Sequence, residues 1–263
     1  MLLESLAYLI TPCSRMARKM GYLRESISIM SRYRRCRKDW SNHTSKTRQT
    51  ISKAIEKCSG NSRAIIFGAG LGHDLPVREL LAHFAEVLLV DVVHTLPIRW
   101  VALRNRKVKL VTHDISESLD NIYKGELRVR APERFLDTKS ANLIVSLNLL
   151  SQLPTLPTHY LEKVYRVNDI ELERLAKKLI EAHLSYLRQF SGVVCLVTDL
   201  DREILDLKGD LISKFSALRD ISVPLVGETW LWEIAPLGEE DNSYSVRNRV
   251  IGIPDLSAAD SIM

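Results

Sequence analysis

Several common classes are excluded by what this sequence lacks. Its four cysteines, Cys13, Cys36, Cys58 and Cys195, are scattered over 263 residues with no CxxC pair. Neither a zinc site nor a disulfide framework is therefore expected, and reduced thiols in a cytoplasmic chain are the simplest reading. No uninterrupted apolar run approaches the roughly 18 residues that a membrane-spanning helix needs. The short apolar start, Leu2 to Ile10, contains Glu4 and follows no basic segment, unlike a secretory signal, so it is expected to stay in the mature protein. Neither an internal repeat nor a low-complexity segment is visible.

A hydrophobic share of 46% with 26% charged residues belongs to an ordinary globular domain. The chain is long enough for one large domain, or one domain with an extension. The net charge of +5 is modest, but Arg15, Arg18, Lys19, Arg24, Arg32, Arg34, Arg35, Arg37 and Lys38 crowd one stretch against only Glu25 and Asp39.

Three regions are expected. Residues 1–58 show helical apolar spacing and form an N-terminal helical extension, with Pro12 separating two helices. Ser59 to Asn61 supply a helix stop, and residues 59–256 then alternate short apolar runs with helical segments. The runs are Ala64 to Phe67, Val87 to Val90, Val108 to Val111, Ala141 to Leu147 and Val193 to Thr198, with one long helix, Thr158 to Phe190, before the fifth. Such alternation predicts a parallel, doubly wound α/β sheet of Rossmann-like type. Leu225 to Ile234 and Ser243 to Ile253, separated by a short polar stretch, predict a closing antiparallel hairpin, so the sheet is seven-stranded and mostly parallel. Residues 257–263 read as a loose tail.

The most informative stretch is RAIIFGAGLGHDLP, Arg63 to Pro76, where a buried strand runs into Gly68, Gly70 and Gly72. Glycines suit a sharp turn against which a ligand packs with no Cβ in the way. Asp74 is positioned to cap the next helix and Pro76 to occupy its first turn. A dinucleotide fingerprint would need glycine at position 73, which is His73, and no Gly-Lys-Ser/Thr of a P-loop follows. Taken alone, a GxGxG turn is also common as plain strand-to-helix structure. The second strand, however, ends at Asp91, where a carboxylate can accept both hydroxyls of a ribose, and the third is followed by Asp114, which can accept an adenine amino group.

These residues resemble the class I S-adenosylmethionine-dependent methyltransferases over roughly residues 60 to 255, including uncharacterised bacterial members. The family's glycine loop matches Gly68, Gly70 and Gly72, its ribose-binding acid Asp91 and its adenine-side acid Asp114. ANLIVSLNLLSQL is similar to its fourth motif, and the closing hairpin to its reversed last strand. The resemblance implies S-adenosylmethionine as cofactor. The family usually has an acid two places before the first glycine to hold the cofactor's amino group; here that residue is Ile66, with Asp74 a possible substitute.

Methyl transfer needs chiefly that the acceptor atom be held in line with the methyl group, so no universal catalytic residue exists. Asn148, Ser151 and Gln152 follow the fourth strand, where the family often positions its acceptor; equally, they can cap the next helix. His113, with His94, flanks the carboxylates and is a candidate base, or merely a loop hydrogen-bonder. Asp199 and Asp201 follow the fifth strand, as rim or turn residues. Trp40, His43 and Thr47 share a helical face, either as a lid over the pocket or as packing, while Trp230 and Trp232 read as packing. No metal site is expected. With neither an Asn-Pro-Pro-Tyr motif nor a Pro-Cys nucleophile, DNA base methylation is disfavoured.

A small-molecule or protein acceptor is expected ahead of nucleic acid. The basic N-terminal stretch can meet RNA phosphates, an acidic protein or an anionic membrane surface, and a solvated face or protein interface is preferred because few aromatics interleave it. The rival readings are a non-catalytic binding protein on this fold and a nucleotide- or NAD-dependent enzyme.

Overall fold

The computed structural model describes residues 2–138 and 140–257, so all but Ser257 of the expected tail lies outside the described residues. The N-terminal region comprises α1 (Leu2–Ile10), α2 (Arg15–Lys19), α3 (Tyr22–Arg35) and α4 (Ser41–Glu56). Then follow β1 (Arg63–Phe67), α5 (Val77–His83), β2 (Glu86–Asp91), α6 (Leu96–Arg104), β3 (Val108–Thr112), α7 (Leu119–Tyr123) and β4 (Ala141–Leu147). The chain continues through α8 (Thr155–Tyr165), α9 (Asp169–Leu187), β5 (Val193–Leu205), β6 (Leu211–Ser216), β7 (Glu228–Ala235) and β8 (Ser245–Ile253).

The strand order is β3-β2-β1-β4-β5-β8-β7, with β6 paired to β5 alone. Strands β1 to β5 are mutually parallel in this path, and β8 runs antiparallel to both its neighbours. The order reverses between β1 and β4, which leaves a crevice at their carboxyl ends, where open α/β sheets take ligands.

Both faces of the central strands are covered, which is why they read as continuous apolar runs. Side chains alternate along β1: Ala64 and Ile66 join the core under α4, α5 and α6, while Ile65 and Phe67 join the core under α9. Helix α9 buries Leu172, Leu175, Ala176, Leu179, Ile180, His183 and Leu187, a stripe at three- and four-residue spacing.

Three sequence expectations are corrected. The predicted helix Thr158 to Phe190 is two helices, because Arg166 turns left-handed (φ 56°) and Asn168 caps α9 by accepting from the Glu171 N–H. Beside the seven strands expected, the described residues hold an eighth, since β5 runs on to Leu205 and supports the additional β6. Consequently Asp199 and Asp201 lie within β5 and not after it; Asp201 forms ion pairs with Arg249 and Lys214. The pattern of β6, largely exposed on both faces, gives no burial period to detect.

Helix α4 lies in the helical layer of the sheet. Its buried His43, Thr47, Thr50, Ile51 and Ala54 face the strands. At its start the Trp40 indole N–H donates to the Ile234 carbonyl at 3.2 Å and its ring meets Trp232 edge-on, centroids 5.0 Å apart. Trp40→Ala should therefore cost about 3–5 kcal/mol, as truncation of a buried aromatic does; urea unfolding checks it, and an unchanged midpoint would show that α4 is held elsewhere.

Candidate functional site

The carboxyl tips of β1, β2, β3 and β4 carry the residues singled out in the sequence. After β1 the backbone passes through Gly68 (φ 75°), Gly70 (φ 49°) and Gly72 (φ 74°), all in the left-handed region. Their reasons differ. A Cβ on Gly68 would stand 2.7 Å from the Leu147 carbonyl oxygen, and one on Gly72 2.5 Å from Ile98 Cδ1. A Cβ on Gly70 would meet nothing nearer than 3.8 Å. Gly68 and Gly72 are thus required by packing, while the face of Gly70 is open to a ligand.

Asp91 closes this turn from β2. Its carboxylate accepts from the Gly70 N–H at 2.9 Å and from the Val92 N–H at 2.7 Å. Burial raises the Asp91 pKa against the pull of these donors. His94 lies buried nearby, its pKa lowered by the same desolvation.

Asp114 has a different setting. One oxygen accepts from the Ser116 N–H (2.9 Å) and hydroxyl (2.7 Å), the other from the N–H groups of Ser118 and Leu119, both at 2.8 Å. Four donors occupy all the lone pairs of this carboxylate, which organises the start of α7. His113 accepts from Arg134 at Nδ1, 3.0 Å away, with Glu117 on its other side at 3.6 Å. Burial, and then the Arg134 charge, lower its pKa. The structure thus engages His113 between Glu117 of its own loop and Arg134 of the segment before β4.

Asp74 does not cap α5: that helix starts at Val77 with Pro76 at its N-cap and no side-chain cap. Instead Asp74 accepts from the Thr44 hydroxyl of α4 at 3.4 Å and lies 3.4 Å from the amide of Asn148. Burial pushes its carboxyl up to about 6. Asn148 itself stands at the tip of β4 in the left-handed region, φ 49°, a conformation that asparagine tolerates better than most residues. Its amide is also 3.2 Å from His43 Nε2. His43 is buried, stacks on Trp232 with centroids 3.8 Å apart, and receives the Trp230 indole N–H at Nδ1, 3.1 Å. Desolvation takes its pKa down to about 3, so the ring is neutral.

The structure therefore brings Gly70 and Asp91 together, and separately Asp74, Asn148 and His43. Trp40 is turned to the β7 side of α4, and Gln152 is exposed beside α8. Ile66 is fully buried in the sheet core. Ser151 donates to the buried Asp199 at 3.1 Å, a contact between the β4 tip and β5.

Sequence reading missed Tyr22. At the start of α3, after Gly21, this residue packs against the core that holds Met20, Leu119, Ile122 and Leu161, and its phenol pKa is raised well above normal by burial, then by the Asp114 and Asp91 charges. Leu71 of the glycine turn and Val93 beyond β2 pack on Ala7, Ala17 and Leu23. Helices α1 to α3 thus pack on the turns that follow β1 and β2. The only local signal was an aromatic residue directly after a glycine in a basic helix.

A sheet of order 3-2-1-4-5 closed by an antiparallel hairpin, with a glycine turn after β1 and an acid ending β2, is a Rossmann-like doubly wound α/β fold. No family model matches the chain, and no curated protein matches it in sequence. Among solved structures it is similar to the N-methyltransferase NodS from Bradyrhizobium japonicum WM9, in complex with S-adenosyl-L-homocysteine, at 12% identity over 80% of this chain and 87% of that one, TM-score 0.34. It is also similar to the Burkholderia thailandensis 1,6-didemethyltoxoflavin-N1-methyltransferase (14%, 91% of each chain, TM-score 0.40) and to the 23S rRNA methyltransferase ErmE (10%, 80% and 70%, TM-score 0.30).

The two glycines should separate in a mutational test. Gly72→Ala is expected to destabilise by roughly 1–3 kcal/mol, because the methyl collides with Ile98, whereas Gly70→Ala should cost about 1 kcal/mol of backbone strain alone. Thermal unfolding of both variants checks the order; equal losses would remove the distinction between packing and ligand-facing glycine.

Proposed function

We propose that this chain is a cytoplasmic methyltransferase that uses S-adenosylmethionine, with a small molecule, a protein or RNA as acceptor, in that order. The observation that carries the reading is the contact of Asp91 with Gly70 at the point where the sheet order reverses: a carboxylate and an open glycine face stand side by side at adjacent strand tips. Such a pair suits a nucleoside, the acid accepting the ribose hydroxyls and the glycine admitting the chain beyond them. The bound cofactor would supply an electrophilic methyl group. Gly68, Gly70 and Gly72 would shape its cradle, Asp91 would hold the ribose, and Tyr22 with α1 to α3 would exclude water from above.

The fit is less good elsewhere. Asp114 is already saturated by its own loop, so an adenine would be gripped by shape and packing, and Ile66 leaves the amino acid end to another group. These two points favour the second reading, a binding protein on the same fold without turnover.

Isothermal titration with S-adenosylmethionine and S-adenosylhomocysteine, with NAD and ATP as controls, distinguishes the readings. Micromolar binding of the first pair alone is expected, lost in Asp91→Ala. Binding of none of the four would sink the cofactor assignment, and binding without methyl transfer to any of the three acceptor classes would favour the non-catalytic protein.

A further inference from the structure

The solvent side of α4 borders an open cleft of about 790 Å³, a size that takes small molecules. Ser41, Ser45, Arg48 and Ser52 recur at three- and four-residue spacing, so they stand in one row along it. This row is the reverse of the helix face that buries His43, Thr47 and Ile51. Around it stand Tyr33 of α3, Arg37 of the turn that joins α3 to α4, and Glu79 of α5.

The charges of the cleft are unevenly satisfied. At one end Lys53 lies 3.7 Å from Glu228, and the Ser52 hydroxyl donates to Glu79. At the other end Arg37 and Arg48 form no ion pair among the described residues. Glu56 lines the cleft about two turns beyond Arg48, roughly 12 Å along the helix axis at its ordinary rise, and does not neutralise it. Arg48 is nevertheless held in place. Its Nε donates to the His73 carbonyl at 2.9 Å and one Nη donates to the same oxygen, which leaves the second Nη unused.

The His73 ring stacks on Tyr33, centroids 3.4 Å apart and planes 19° from parallel. Burial, and then the charges of Arg48 and Arg37, take its pKa down to about 4, so the ring is neutral. Both guanidiniums are therefore near enough to act on one uncharged ring, and they repel each other with no acid between them. An anion lodged there relieves that repulsion and accepts charge-assisted hydrogen bonds, and the doubly charged, many-oxygened phosphate suits two guanidinium forks best.

We infer that this cleft binds a small phosphorylated molecule, its phosphate held between Arg37 and Arg48 and its hydroxyl groups met by Ser41, Ser45 and Gln49. The site is independent of the methyltransferase reading, since none of Gly68, Gly70, Gly72 and Asp91 lines it. Thr44 alone joins the two regions, lining the cleft and donating to Asp74 at 3.4 Å.

The test uses the whole chain without cofactor, so its failure is distinguishable from failure of the methyltransferase reading. Ribose 5-phosphate, ribose, inorganic phosphate, an oligouridylate and sodium chloride at matched ionic strength are each titrated while nitrogen-15 NMR follows the backbone amides and the arginine Nε–H groups. Ribose 5-phosphate should shift residues 41 to 53 and the Nε–H signals of Arg37 and Arg48 to saturation, inorganic phosphate should do so more weakly, and ribose should not. Arg37 is exposed and makes no hydrogen bond among the described residues, so Arg37→Ala should keep the wild-type melting temperature. The same variant should bind ribose 5-phosphate about tenfold more weakly or worse, as loss of a hydrogen bond to a charged group does. Shifts reproduced by sodium chloride, no saturable shift with either phosphate, or unchanged affinity in Arg37→Ala would overturn the proposal. So would ribose 5-phosphate binding no tighter than inorganic phosphate, or an oligouridylate binding tighter than both, since the cleft would then follow a nucleic-acid backbone.

Discussion

Much of this molecule depends on a single packed seam, the stack of His43 against Trp232 with the Trp230 indole N–H donated into the same imidazole. It binds a helix that precedes the sheet to the hairpin that ends it. The seam is apolar enough to keep His43 neutral, and both imidazole nitrogens have a partner, in Trp230 and Asn148, while the Trp232 indole N–H has none among the described residues. Trp40 extends the seam to Ile234, and Thr44, one residue beyond His43, reaches the glycine turn through Asp74. One helix face thereby sets the relative positions of the hairpin, the β1 turn and the β4 tip.

The strand tips divide into two halves of different character. On the Asp91 side the contacts are between a carboxylate and backbone N–H groups, and the covering helices α1 to α3 contribute apolar side chains and one phenol. On the Asn148 side the contacts are between side chains of α4, β4 and β7. The first half is thus ordered by backbone donors near in the chain, and the second by side chains that meet from distant elements.

The sequence made the central architecture legible because strands covered on both faces leave unbroken apolar runs, and five of these stood at regular intervals. The glycine turn and Asp91 were legible for a similar reason: chemistry at a strand tip leaves a residue type at a predictable distance from the run. Asp114 shows the limit. Its position was readable, but its carboxylate is saturated by Ser116, Ser118 and Leu119, which depends on how one loop folds back. His43 and Trp230 stand 187 positions apart, so no local pattern could join them. Tyr22 was hidden likewise, and β6 lacked any burial rhythm because it lies on a strand extension in solvent.

The left-handed backbone of Asn148 has a bearing on how such a chain can diverge. That conformation favours glycine, asparagine or aspartate. The neighbouring imidazole of His43, 3.2 Å away, adds a demand for a polar side chain that reaches it, which glycine cannot supply. Asparagine meets both conditions. A descendant that replaced His43 would lose the second condition, whereas one that kept it would have its choice at position 148 narrowed by a residue 105 positions earlier in the chain.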